Sequence, residues 1–182
     1  MRNALLGIML ALLLSSSVTA AEQAAASPSA KLLQYIAGTS DVLIGLNGVS
    51  VMVEDLNKDA TEAGLSTEDI KTQVELRLRT LGIRVLTEQE LKQSLSLPIL
   101  CVNVTALKHS GSDLYAISIS VQLLERLFEV RQPGAVVVGA IPWQKEFTAI
   151  SGGGVLSEKA KDSVLNLVDA FANDYLAANP KK

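Results

Sequence analysis

Residues 113 to 130 read DLYAISISVQLLERLFEV, from Asp113 to Val130. Tyr115, Ile117, Ile119, Val121 and Leu123 fall on every second residue, with Ala116, Ser118, Ser120, Gln122 and Leu124 between them. Alternate side chains of a strand point to opposite faces, so one face here is oily and the other small or polar. The alternation predicts a long central strand in a sheet packed on one side only, with helices over the oily face.

The flanking segments extend that sheet. Leu100, Val102, Val104 and Ala106 alternate along Ile99 to Leu107, and Lys108-His109-Ser110-Gly111-Ser112 reads as the hairpin loop into the central strand. Gln132-Pro133-Gly134 reads as a second turn. It leads into a strand from Ala135 to about Ile150, bent or broken near Pro142. Upstream, Val49, Val51 and Val53 alternate within a first strand region, Val42 to Glu54, which Gly45 and Gly48 interrupt. Asp55 to Gly64 reads as a polar connection, and Ile83 to Leu86 as a short strand.

Two helices supply the cover. Ser66 caps the first, which runs to Leu81, and Ile70, Val74, Leu78 and Leu81 trace one face. Glu75 and Arg79 form an i,i+4 pair, and Gly82 supplies the stop. Thr87 with Glu90 three residues later reads as a capping box opening a short helix to about Ser94. Ser151-Gly152-Gly153-Gly154 reads as a flexible junction, after which Ser157 caps a final helix to about Ala178. Val164, Leu167, Val168, Phe171 and Tyr175 make its apolar stripe, and Asn179-Pro180 ends it. The order strand, helix, strand, short helix, three strands, helix predicts an α+β fold. It is a two-layer sandwich, with a mixed, mostly antiparallel sheet and two main helices on one face.

The chain has 182 residues, 48% hydrophobic, 19% charged, with net charge −3. Disordered chains are poorer in apolar residues and richer in charge, so a folded domain is expected. The head of the chain has an address. Met1-Arg2-Asn3 is positive, Ala4 to Leu14 is an unbroken apolar run, and Val18-Thr19-Ala20 fits a small-residue cleavage site. This predicts a secretory signal peptide over residues 1–20, cut after Ala20 or Ala21. The apolar run is short for a membrane span, which needs roughly 20 residues. A flexible leader over 21–40 and a single α+β domain over 41–180 follow. The acidic balance and lack of a basic stripe argue against nucleic acid, whose affinity comes from Lys and Arg contacts to phosphate. Cys101 is the one cysteine. It has no intramolecular partner and sits in a strand pattern where a thiol behaves as a small hydrophobe, with an intermolecular disulfide as the alternative.

Five stretches, GVSVMVEDL (Gly48–Leu56), VELRLRTLGIRVLTEQE (Val74–Glu90), LCVNV (Leu100–Val104), LYAISISVQL (Leu114–Leu123) and DYLAANP (Asp174–Pro180), give the chain a resemblance to a group of exported bacterial proteins with no assigned activity. The resemblance runs in order across most of residues 42 to 180. It implies export and a single domain, and it brings no catalytic residue with it. In that group the segment at Trp143 often reads Thr-Trp, where this chain has Pro142-Trp143. The element order also resembles the TolB amino-terminal domain of envelope assembly factors, a likeness of fold alone.

Catalytic, cofactor and metal sites are not apparent in the sequence. His109 is the one histidine and lies in a loop tip of Lys108, Ser110, Gly111 and Ser112. A general base, a zinc ligand and a triad all commonly call on histidine, and none has supporting spacing here. Glu54-Asp55 do not converge on a strand, and Glu88 and Glu90 have a capping role. Ser151-Gly-Gly-Gly lacks the Gly-Lys-Ser/Thr of a phosphate loop. What remains is the polar strip Ser118, Ser120 and Gln122, joined by Trp143 if that ring is exposed. The strip suggests a docking surface, with strand addition at a free sheet edge as a related mode. The expectation is a non-enzymatic protein-binding module of the periplasm whose partner is another envelope protein. The alternative is a small-ligand binder or hydrolase with a pocket of scattered Glu, Ser and Tyr residues, which a deep polar cavity would favour.

Overall fold

The computed structural model of the protein describes residues 41–128 and 135–180. The leader, the proposed signal peptide, the Gln132-Pro133-Gly134 turn and the terminal lysines therefore lie outside the described residues. Four strands form one sheet in the order β1 (Ser50–Val53), β2 (Ile99–Lys108), β3 (Leu114–Phe128), β4 (Val136–Gly152). β1 runs parallel to β2, and β2, β3 and β4 form an antiparallel meander. The helices are α1 (Lys58–Glu62), α2 (Thr67–Thr80), α3 (Glu88–Gln93) and α4 (Gly153–Ala178). The fold is an α+β two-layer sandwich with α2 and α4 on one face of an open mixed sheet.

The alternation along β3 is realised residue by residue. Tyr115, Ile117, Ile119, Val121 and Leu123 are all buried, while Ala116 and Ser118 are exposed. Ile70, Val74 and Leu78 of α2 and Leu156, Val164, Val168 and Phe171 of α4 close over them. Leu167 of the expected stripe is half-buried. The two helices are also tied to each other. Arg77 grips Asp169 through Nε and Nη2, both at 2.6 Å, and Lys161 reaches Asp69 at 3.0 Å.

Several boundaries differ from the sequence reading. The first strand region contains a 3-10 turn at Asp41–Leu43, and only Ser50–Val53 is strand. Gly45 (φ +79°) and Gly48 (φ +144°) break it. Gly48 is held so close to the neighbouring segment that a Cβ there would lie 2.5 Å from the Arg84 carbonyl oxygen. Ile83 to Leu86 contributes a single bridge, Val49 with Val85, instead of a strand. Five expected strands therefore become four. The polar connection contains α1, anchored because Asn57 Nδ2 donates to the Ala106 carbonyl at 2.6 Å and the Lys108 N–H donates to Asp59 Oδ2 at 2.8 Å. The Thr87–Glu90 capping box forms in full, and Ser66 accepts from the Asp69 N–H at 3.4 Å.

The junction after β4 is also tighter than expected. Ser151 and Gly152 finish the strand, and α4 begins at Gly153, four residues before Ser157. Ser157 lies inside the helix and donates to the Gly64 carbonyl at 3.2 Å. Gly153 N–H donates to the Asp113 carbonyl at 2.9 Å, and its Cα faces the Asp113 carboxylate and the Tyr115 ring. The helix thus starts as soon as the last ladder bond is made.

Pro142 does not break β4. The pairing with β3 shifts register between Leu123–Trp143 and Glu125–Ala140, where Ile141 and Pro142 together oppose Leu124, and again between Glu125 and Arg126, so the expected bend near Pro142 is present as an irregularity of a continuous strand. The phase of the ladder and this step explain the tolerance. The Gly153-to-Asp113 bond fixes Asp113 and Gly153 as a hydrogen-bonded pair, and such pairs recur at every second residue. Trp143, Lys145, Phe147, Ala149 and Ser151 therefore aim their backbone groups at β3. Gln144, Glu146, Thr148 and Ile150 aim theirs outward, and Pro142 sits in the irregular step just beyond, where a missing N–H costs no regular ladder bond.

Candidate functional site

The second face of the sheet has no layer over it among the described residues. Register places Asn103 and Thr105 of β2 beside Ser120 and Ser118 of β3, and Gln144, Glu146 and Thr148 of β4 beside Gln122, Ser120 and Ser118. Ser118 is exposed and Ser120 and Gln122 are half-buried, so these three expected site residues do form one strip. The strip continues across three strands, which the single-strand reading did not reach.

Trp143 does not join it. Its partner is Leu123, on the helix-facing side, and it is 1% exposed. Its ring meets Phe171 edge-on at 5.1 Å between centroids, and Nε1 donates to Asp174 Oδ2 at 2.9 Å. The tryptophan is a core anchor, because its N–H finds a partner on α4 and its large surface is worth more buried than wet.

At the loop end the strip turns apolar. Leu107, Ala116 and Ile150 form one rung across β2, β3 and β4, with Leu114 beside them. Leu107 is 61% exposed, Leu114 48% and Ile150 75%. They border a shallow hollow of about 320 Å³ whose rim carries Lys108 and His109. Exposed large apolar side chains in one patch mark an interaction surface more often than scattered ones do. The spacing of Leu107, Leu114 and Ile150 was visible in the sequence, but their common rung needs the strand register.

The reactive groups on and around this face do not converge: Cys101 stands beside Gln122 and His109 at the rim of the hollow. His109 is exposed with Nδ1 3.0 Å from Ser112 Oγ, within its own loop. Cys101 is buried 3.7 Å from Glu54, whose carboxylate also accepts from Asn103. Burial, and then the Glu54 charge, push the Cys101 thiol up to about 11, which disfavours the nucleophilic thiolate. Glu90 is held below the usual carboxylate range by the Thr87 N–H and hydroxyl and by Arg84. A polar hollow of about 310 Å³ lies between Gly48, Leu86, Gln93 and Pro98, and its one charged pair, Arg84 with Glu90, is closed on itself. Glu125 is pushed up by burial. Among the described residues no three His, Cys, Asp or Glu side chains converge as a metal site, and no helix is long and apolar enough to cross a membrane.

No family model and no curated protein matches the chain. Among solved structures, the PelC dodecamer from Paraburkholderia phytofirmans is similar at 14% identity and a TM-score of 0.38, over 69% of this chain and 90% of that one. Likeness at that level supports neither a shared fold nor a shared role.

Proposed function

We propose that this protein is an exported, non-enzymatic binding module of the bacterial envelope that docks another envelope protein on the open face of its sheet. The carrying observation is that face: a small, hydrogen-bonding strip that ends in the exposed rung of Leu107, Ala116 and Ile150. A polar strip beside an apolar cluster offers both anchoring area and satisfiable donors and acceptors, the composition of a protein interface. Charge narrows the occupant. Along the strip itself, Asn103 and Thr105, Ser118, Ser120 and Gln122, and Gln144, Glu146 and Thr148, the charged side chain is Glu146, with Glu54 just past β1, while Arg126 stands further along β3. The strip itself is acidic, so the partner presents hydroxyl or basic side chains to it. Export rests on the Met1-to-Ala20 pattern.

The test is a photo-crosslinking amino acid at Ser118 in producing cells, with Asn166 on the outer side of α4 as the solvated control. An adduct joining a second protein at Ser118 and none at Asn166 is expected. No adduct at Ser118, or an adduct of the chain with itself, sinks the reading.

A further inference from the structure

The free edge of β4 is a separate surface with its own chemistry. β4 is the last strand of the sheet, and no other described strand pairs with its outer side. Gln144, Glu146, Thr148 and Ile150 present outward N–H and C=O groups there, a template that only another extended backbone satisfies in full. Beneath that edge, on the helix side, lies a hollow of about 260 Å³ walled by Ile117, Phe147, Ala149 and Ala160, with the polar side chains of Lys159, Asp162 and Ser163 also lining it. Phe147 stands at its mouth, 41% exposed.

We propose that two copies of this chain pair antiparallel along β4 about a two-fold axis through Thr148. That register sets Thr148 against the partner's Thr148 and Glu146 against the partner's Ile150. It sets Phe147 against the partner's Ala149, twice, in the closely spaced non-hydrogen-bonded positions where side chains meet most directly. Each large ring lies across a small residue and over the partner's hollow. Other registers fit worse. An axis at Lys145 or Glu146 opposes like charges, and an axis at Phe147 opposes the two rings. The paired stretch, Gln144 to Gly152, stops short of Pro142, which could not donate there. A two-fold pairing uses both copies' long edges and, among the described strands, leaves the four-residue β1 at the outside, so the assembly closes.

Sedimentation of the purified full chain over a dilution series tests this, together with amide hydrogen exchange. A dimer is expected, with the Gln144, Glu146, Thr148 and Ile150 amides protected in concentrated samples and fast in dilute ones. Thr148→Pro and Phe147→Ala are each expected to weaken it about tenfold, with far-UV circular dichroism unchanged. The swap Phe147→Ala with Ala149→Phe is expected to regain most of the lost affinity. A monomer at every concentration, fast exchange at those four amides, or a dimer indifferent to both single changes overturns the proposal. None of these readouts uses the open face, so a failure at Ser118 and a failure here are separate results.

Discussion

Trp143 is the chain's one tryptophan, so its fluorescence reports on one site. The ring is 1% exposed and donates to Asp174 at 2.9 Å. Native emission is expected in the short-wavelength range of a dry indole, shifting red on unfolding. Trp143→Ala empties the space against Phe171 and is expected to cost about 3–5 kcal/mol. For a domain of this size that lowers the melting temperature by roughly 10 °C. Trp143→Phe keeps most of the packing and removes the donor. Asp174 is half-buried and can turn to water, so the hydrogen bond is worth less than a fully buried one to a carboxylate, about 1 kcal/mol. A double-mutant cycle with Trp143→Phe and Asp174→Ala, read by urea titration with far-UV circular dichroism, isolates that coupling. Coupling indistinguishable from zero would remove the proposed tie between β4 and α4. Native emission matching that of the unfolded chain would put the ring in water and return it to the surface.

Gly48→Ala adds a Cβ 2.5 Å from the Arg84 carbonyl at φ +144°, and a loss of about 2–4 kcal/mol is expected in thermal or urea unfolding. Asp169 titrates below its usual range because of its hydrogen bond to Arg77. Its stabilisation is therefore complete above the unfolded carboxylate pKa near ~3.9 and fades as pH falls through the lower folded value. The gap in urea midpoint between the parent and Asp169→Asn should close in acid and persist at neutral pH. Cys101, with its thiol at about 11, should resist an aromatic disulfide reagent at pH 8 until the protein is unfolded. Fast labelling of the native chain would contradict its burial.

Period-two patterning carried most of the architecture, because on β3 burial and alternation coincide without exception from Tyr115 to Leu123. Local capping chemistry was equally readable, since Thr87 and Glu90 need only each other. What the sequence hid depends on distant partners. α1 is held by Asn57 and Asp59 bonding to β2 residues 49 positions away. The glycines at 152–154 looked like a hinge because the sequence does not show Asp113 and Tyr115 standing against Gly153. The DYLAANP tail reads as the end of a helix, yet Tyr175 Oη donates to the Leu46 carbonyl at 2.7 Å and Asn179 binds both Leu43 and Gly45. Ser118, Ser120 and Gln122 marked a face from one strand, and its neighbours became visible only through the register.

The outward and inward phases of β4 make a position-by-position prediction that composition alone could not. Proline removes one N–H wherever it is placed, but the loss matters only if that donor reaches β3. At Lys145, Phe147 and Ala149 it does, leaving a β3 carbonyl without its partner at a cost of about 2 kcal/mol or more. At Gln144, Glu146 and Thr148 the donor faces outward, and in the dilute monomer the cost is limited to fixing φ. A proline scan from 144 to 149 should therefore alternate, with stability falling at odd positions and nearly kept at even ones. Pro142, which the chain already carries, lies just beyond this regular stretch, in the register step. A flat profile, or one with the opposite phase, would mean that β4 presents its other set of backbone groups to solvent. The template at the β4 edge would then lose its physical basis.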